Sequence, residues 1–151
     1  MLKIVKVKVE PLTAEAFAPF GDVIRTYEQG RPEIVKGGLR EKQIQLRSGD
    51  RRVAHFAYHT DAGQSFYPSR HCPTVFIVGP VGETLRPEDL RAFQSDGSLG
   101  ICLRVGVWHT VPICLEGEEI YQSTRGDQDY AAHSIEIDFD KEQGLAFEPD
   151  L

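Results

Sequence analysis

Residues 52–78 read RVAHFAYHTDAGQSFYPSRHCPTVFIV, and this stretch decides the fold. It contains three short runs rich in apolar and aromatic residues, at 52–59, 65–67 and 74–78. Turn-forming residues such as Gly63 and Pro73 separate the runs. Short runs that are punctuated in this way are typical of β-strands in a sandwich or barrel.

The same pattern extends in both directions along the chain. Residues 3–10 alternate apolar and charged side chains, which predicts a strand with one buried face. Thr13 and Pro87 are suited to begin a short helix and a helical turn, respectively. Further strands are predicted at Asp22–Ile24, Gln43–Leu46, Gly100–Trp108, Ile120–Thr124 and Ser134–Phe139. The sequence therefore predicts a mostly-β barrel with one or two short helices.

Length and composition limit the classes of protein. The 151 residues fit one domain, residues 1–151, and the 17 basic against 23 acidic residues give a net charge of −6. Without a dense Lys/Arg run, we expect no nucleic-acid partner. Neither a membrane span nor a signal peptide is visible, so we expect no membrane contact and a cytoplasmic protein. The three cysteines lack the spacing of a zinc site and, being odd in number, do not form a disulfide framework.

Histidines supply the candidate chemistry. His55 and His59 are four residues apart and so share one face of a regular strand, and His109 ends another strand after Trp108. Neutral imidazoles inside a barrel can ligate a divalent metal or act as acid and base near pH 7. The alternatives are an outward-facing His55 and hydrogen-bonded core positions for His59 and His109. His71 and His133 are expected in loops.

Several motifs, taken in order, resemble the ureidoglycolate lyases of the cupin superfamily. The second half of the chain contributes Arg91-Ala92-Phe93, Asp96-Gly97, Gly100, Gly106-Val107-Trp108-His109, Pro112, and Arg125-Gly126 with Asp129. The first half contributes Phe20-Gly21-Asp22-Val23-Ile24 and His59-Thr60-Asp61-Ala62-Gly63-Gln64-Ser65-Phe66-Tyr67-Pro68. The resemblance implies a cupin-type barrel or jelly roll, usually a homodimer. It also implies cleavage of ureidoglycolate to glyoxylate and urea, in some members with a divalent metal such as nickel.

A reaction of this type assigns roles to specific residues. We expect His59 and His109 to be the catalytic acid and base, in an order that the sequence leaves open. A small carboxylate substrate is expected to contact Gln64, Arg104, Trp108 and Arg125. If a metal is present, nickel, zinc or manganese would be held by His55, His59 and His109.

Departures from the family keep two other functions open. Leu103-Arg104-Val105 precede Gly106 where the family commonly has a Tyr and a basic or polar pair, and Ala57-Tyr58 precede His59 in place of a frequent Glu-Arg pair. One alternative is therefore a cupin-like binding or sensor domain without turnover. The other is a different metal-dependent cupin enzyme, such as an isomerase or oxygenase.

Overall fold

The computed structural model describes residues 1–151, and β-strands form most of it. Two short α-helices, α1 and α2, span Ala14–Phe17 and Phe139–Gln143. Single 3₁₀ turns span Tyr27–Gln29, Pro87–Asp89 and Ala131–His133. The strands are Lys3–Pro11 (β1), Gly21–Ile24 (β2), Leu39–Arg47 (β3), His55–His59 (β4), Gln64–Pro68 (β5), Thr74–Gly79 (β6), Arg91–Ser95 (β7), Gly100–Leu103 (β8), Trp108–His109 (β9), Ile113–Cys114 (β10), Glu118–Gly126 (β11), Ser134–Asp138 (β12) and Leu145–Asp150 (β13).

The strands form two sheets. In the larger sheet the order is β12-β4-β9-β6-β7-β1-β13, and β10 pairs with β6. The smaller sheet has the order β2-β8-β5-β11-β3. Only β1 makes parallel pairs, with β7 and β13, and all other pairs are antiparallel. An isolated bridge between Val53 and Phe147 curls the larger sheet back on itself.

Apolar side chains pack on both faces of the larger sheet, which explains its nearly continuous hydrophobic strands. Along β6, Val75 and Ile77 belong to one buried cluster, together with Trp108 and Phe147. The intervening Phe76 and Val78 belong to a second cluster that includes side chains of the smaller sheet, Phe66, Ile101 and Leu103. The second cluster therefore fills part of the space between the two sheets.

The predicted mostly-β barrel with short helices is confirmed. The Thr13 side chain accepts a hydrogen bond from the Ala16 backbone N–H at 3.1 Å and caps α1 as predicted. The single strand predicted at 100–108 is wrong, because residues 104–107 form a turn between β8 and β9. Gly106 has φ = 86°, a left-handed conformation that favours glycine. The strands β7, β10 and β13 and the helix α2 were not predicted from the sequence.

Candidate active site

A cavity of about 380 Å³ opens between the two sheets. Its wall combines histidines, two basic side chains, one amide and apolar groups. The lining residues are Lys42, Ile44, Val53, Ala54, His55, Ala57, His59, Gln64, Phe66, His109, Thr110, Val111, Arg125 and Tyr130.

Strand register brings the distant histidines together. Ala57 on β4 lies directly opposite His109 on β9, and directly opposite residues share one face of a sheet. His55 and His59 are two residues from Ala57 and therefore share that face. Phe56, which alternates with them, points into the apolar cluster on the other side of the sheet.

The smaller sheet supplies the opposite wall by the same rule. On β11, Ser123 and Arg125 alternate with outward-facing residues, and Ser123 lies directly opposite Lys42 on β3. The Gln64 side chain on neighbouring β5 reaches Ser123 at 3.1 Å. Two cations and one amide from this sheet thus face the histidines of the other.

A hydrogen-bonded network forms the floor of the cavity, and we call His59, Gln64, His109, Ser123 and Ser134 the floor network. The terminal amide of Gln64 lies between the imidazoles, with Oε1 placed 2.9 Å from Nε2 of His59 and 3.0 Å from Nε2 of His109. Nδ1 of His59 is 2.9 Å from Oγ of Ser134. Every ring nitrogen of the two histidines therefore has a partner, because Nδ1 of His109 also meets the Val107 carbonyl at 3.0 Å.

Burial keeps both imidazoles neutral near pH 7. Burial, together with the neighbouring His59, lowers the pKa of His109 to about 4. Burial also lowers the pKa of His59; the Gln64 hydrogen bond and Asp61 oppose this shift, whereas Arg125 and Lys42 add to it. Neutral imidazoles retain a lone pair and can act as bases.

The two basic residues of the cavity have no acidic partner. Neither the Arg125 guanidinium nor the Lys42 ammonium takes part in any ion pair or side-chain hydrogen bond of the chain, and the buried Nε of Arg125 has no acceptor. The Arg125 guanidinium carbon lies 5.2 Å from the centre of the Tyr130 ring. Burial and the charge of Arg125 lower the pKa of Lys42. A buried donor without an acceptor is costly, so this wall is suited to an anionic ligand.

Two of the residues predicted to bind substrate lie outside the cavity. Arg104 is in the exposed turn after β8, where its guanidinium donates to the backbone carbonyl of Ala18. The indole N–H of Trp108 donates to the Gly82 carbonyl at 2.9 Å, and its ring packs against Tyr58 on the far face of the sheet. Adjacent strand residues point to opposite faces, so Trp108 cannot share the face of His109. The structure places Gln64 and Arg125 in the cavity and excludes Arg104 and Trp108.

The predicted metal ligands are not gathered into one site. His55 shares the cavity face but lies at the rim, half exposed, with Nε2 3.6 Å from a Glu136 carboxylate oxygen. No group of three or more His, Cys, Asp or Glu side chains is placed to hold a metal ion. Two imidazoles and an amide oxygen do converge, but they carry no negative charge, and two cations line the same cavity. This donor set does not fit a tightly bound divalent metal.

Four residues at the site were not predicted from the sequence: Lys42, Ser123, Ser134 and Tyr130. Alternation with Ile44 could have placed Lys42 on the inner face of its strand, but the strand was predicted to begin only at Gln43. Ser134 lies directly opposite His59 across β12 and β4. That pairing joins residues far apart in the chain, so no local sequence pattern predicts it.

A small cavity lined by two neutral imidazoles and by two basic side chains without acidic partners has the character of a small-molecule site. The family model described as "Ureidoglycolate lyase" matches residues 4–57 and 51–141. The chain therefore belongs to the ureidoglycolate lyase family and is a carbon–nitrogen lyase of that family.

Curated relatives agree with the family model. The chain is 32% identical over 131 residues to a ureidoglycolate lyase of Pseudomonas savastanoi pv. phaseolicola, covering 74% of this chain and 77% of the relative. It is 30% identical over 122 residues to one of Azotobacter vinelandii, covering 67% and 73%. Among solved structures, dTDP-4-dehydrorhamnose 3,5-epimerase from Sulfolobus tokodaii is similar with a TM-score of 0.47 and 11% identity, covering 92% of this chain and 75% of that one.

Proposed function

We propose that this protein cleaves ureidoglycolate, or a closely related ureido-hydroxy acid, to glyoxylate and urea in the cavity between its sheets. The observation that carries the proposal is the combination of unpartnered Arg125 and Lys42 with two neutral imidazoles in one cavity. The substrate offers a carboxylate for the cations and a hydroxyl proton for a base. The names of the relatives support the same chemistry.

The reaction needs one proton to move from oxygen to nitrogen. A neutral imidazole of the floor network takes the hydroxyl proton while the oxygen electron pair forms the aldehyde C=O bond. The C–N bond breaks, its electron pair goes to the urea nitrogen, and the imidazolium returns the proton there. Arg125 and Lys42 hold the carboxylate and orient the carbon toward the imidazoles.

Turnover of ureidoglycolate tests this function directly. We expect purified protein to release glyoxylate from racemic ureidoglycolate faster than the spontaneous reaction, and His59→Gln to lose most of that rate. The matched control is His133→Gln, since His133 ends a 3₁₀ turn and does not line the cavity. Absence of release above the spontaneous rate, with and without added Ni²⁺, Zn²⁺ or Mn²⁺, contradicts the proposal.

Two alternatives from the sequence have distinct signatures. A binding or sensor domain would show a ligand-dependent rise in melting temperature without glyoxylate release. A metal-dependent cupin enzyme would carry a stoichiometric metal after purification and lose it in the His59→Gln variant. The uncharged donor set and the two cavity cations favour the metal-independent lyase over this second alternative.

The expected homodimer and cytoplasmic location belong to the proposal as well. The nine-residue strand β3 is a free edge of the smaller sheet, and a long unpaired edge is often covered by a second copy. The three cysteines are free thiols, as is usual for a cytoplasmic protein. None of the helices has the length and apolar character needed to cross a membrane. Light scattering should give twice the monomer mass, and the monomer mass would contradict the dimer.

A further inference from the structure

The floor network determines the direction of each of its hydrogen bonds, starting from His109. Nδ1 of His109 lies 3.0 Å from the Val107 carbonyl, and a carbonyl oxygen can only accept. Nδ1 therefore carries the proton. The ring is neutral in its buried position, so Nε2 holds a lone pair and needs a donor.

The donor that His109 needs can only be the amide of Gln64. An amide oxygen 3.0 Å from an Nε2 lone pair would set two acceptors against each other. Oxygen and nitrogen of a terminal amide occupy the same space after a half-turn about the last side-chain bond. That half-turn places the NH₂ group between the imidazoles, and Oε1 can accept from the Ser123 hydroxyl, its neighbour at 3.1 Å.

The second amide hydrogen then defines the state of His59. Nε2 of His59 lies 2.9 Å from the same Gln64 atom and accepts from it. The ring proton of His59 consequently lies on Nδ1 and is donated to Ser134 at 2.9 Å. All five side chains are satisfied in one consistent set of directions, and no other placement of the protons on two neutral rings achieves this.

We propose that Gln64 is a positioning residue whose NH₂ group donates to Nε2 of both His59 and His109 in the ligand-free protein. We propose further that His59 takes up the substrate proton on Nε2, once the substrate hydroxyl has replaced the Gln64 N–H as the donor to that atom. Asp61 lies close enough to stabilise a positive charge on His59. His109 has no acidic neighbour, and its Nδ1 pairs with the Val107 carbonyl. The assignment of the proton transfer to His59 rests on the proposed function, whereas the hydrogen-bond directions do not.

Nitrogen-15 NMR of the ligand-free protein tests the hydrogen-bond directions. Long-range ¹H–¹⁵N spectra at pH 7.5 should show the protonated Nδ1 and unprotonated Nε2 form for both His59 and His109. A proton on Nε2 of either ring would overturn the proposal, because Gln64 would then be an acceptor. Binding of Ni²⁺ provides a further test. If equimolar Ni²⁺ shifts the Nε2 signals of both histidines in the natural protein but not in Gln64→Met, the proposal is overturned. The cation would then be bound by both Nε2 atoms and by the amide oxygen of Gln64.

Substitution of Gln64 provides a second readout. In Gln64→Glu the carboxylate can only accept, so we expect His59 to become doubly protonated at pH 7.5. Gln64→Met removes both polar atoms and should leave the rings neutral, with KM changed less than kcat. Gln122→Met, on the outward-facing side of β11, is the matched control and should behave as the natural protein. A neutral, Nδ1-protonated His59 in Gln64→Glu would contradict the proposal that the Gln64 side chain determines the protonation of His59.

Kinetics test the choice of His59. General-base catalysis contributes roughly 10²–10⁴-fold to a rate, so His59→Gln should lose at least about 100-fold in kcat, and His109→Gln clearly less. A larger loss in His109→Gln than in His59→Gln would overturn the assignment. Because the spectra need no substrate, failure of the proposed reaction and failure of the hydrogen-bond assignment are separately visible.

Discussion

Arg125 illustrates how one residue can be suited to its ligand at a cost to the free protein. Its buried Nε has no acceptor, and the guanidinium has no carboxylate partner in the chain. We predict that Arg125→Met raises KM for ureidoglycolate by about 10- to 100-fold, because a charge-assisted hydrogen bond contributes roughly 1.5–3 kcal/mol. Steady-state kinetics measure the change, and kcat should fall less than KM rises.

Arg104→Met is the matched control for this prediction. The Arg104 guanidinium is exposed and donates to the Ala18 carbonyl away from the cavity. Its loss should leave KM within about twofold, since surface substitutions rarely exceed 0.5 kcal/mol. An equal rise of KM in the two variants would remove Arg125 from the substrate site.

His109 links the floor network to the pH dependence of stability. Its folded-state pKa of about 4 lies below the unfolded value near 6.5, so between these values the unfolded chain binds a proton that the folded chain does not. The free energy of unfolding should therefore fall as pH decreases from about 6.5 to 4, by up to about 3 kcal/mol from this residue. Urea unfolding at several pH values measures this free energy, which should depend less steeply on pH in His109→Gln than in the natural protein.

Carboxylates that titrate near pH 4 also make the free energy of unfolding depend on pH. The relevant quantity is therefore the difference in this pH dependence between the natural protein and His109→Gln. Identical slopes for the natural protein and His109→Gln across pH 6.5 to 4 would mean that His109 titrates normally. The variant is expected to be less stable at pH 7, but that loss alone does not decide the matter.

The site was predictable where local alternation was sufficient. That holds for His59, which its four-residue spacing from His55 placed on one face of a strand, whereas Gln64 and Arg125 were selected from the family resemblance and the chemistry of a carboxylate substrate. The structure places all three in one cavity. The prediction for Trp108 was wrong because adjacent strand residues point to opposite faces, so Trp108 and His109 cannot both line the cavity. The prediction for Arg104 was wrong because the mostly apolar residues on either side of it predicted one continuous strand, whereas the structure has a turn at Gly106. The proton directions of the floor network needed coordinates, since they depend on pairings between remote strands.

Among the elements, the link between β5 and β6 carries the chain from the smaller sheet to the larger one. The buried Glu119 carboxylate on β11 holds this link by accepting from the backbone N–H groups of Arg70 at 2.8 Å and Cys72 at 2.9 Å. The neighbouring His71 has φ = 60°, an uncommon conformation for a residue other than glycine. Glu119 therefore stabilises a strained turn in the link between the two sheets.

Glu119→Gln should be strongly destabilising for this reason. One amide NH₂ would face backbone donors, so we predict a loss of about 2–3 kcal/mol in the free energy of unfolding, measured with urea. Glu118→Gln is the matched control, because Glu118 is exposed and forms only a surface ion pair with Arg47 at 2.8 Å. The control should lose at most about 1 kcal/mol. Equal losses would show that the turn does not depend on Glu119.

Element prediction failed at β7, β10, α2 and β13, and at the turn after β8. The strand β13 was missed because its sequence, LAFEPD, contains a proline and two acidic residues. It is stabilised instead by parallel pairing with β1, a contact between the two ends of the chain. Tertiary pairing of this kind overrides weak local preference, which is why the strongly alternating β1 was correctly predicted and its partner was not.

At the scale of the whole molecule, Phe147 connects regions that are far apart in sequence. Its ring packs edge-on against Phe56 of β4 and Phe139 of α2, with centroid distances of 6.0 Å and 5.0 Å. Its backbone exchanges two hydrogen bonds with Val53, at 2.7 and 2.9 Å. Removing this ring opens the cluster that joins the C-terminal strand to the centre of the larger sheet.

We therefore predict that Phe147→Ala lowers the free energy of unfolding by about 3–5 kcal/mol, and Phe147→Leu by less than about 1.5 kcal/mol. Both variants should still unfold in one transition, as expected for a single domain of this size. Fluorescence of Trp108, the only tryptophan, follows the cluster around Phe147, whereas far-UV circular dichroism follows both sheets. Urea curves from the two signals should coincide in every variant. A fluorescence transition that precedes the circular dichroism transition would show that the two sheets unfold separately and that residues 1–151 are not one cooperative unit.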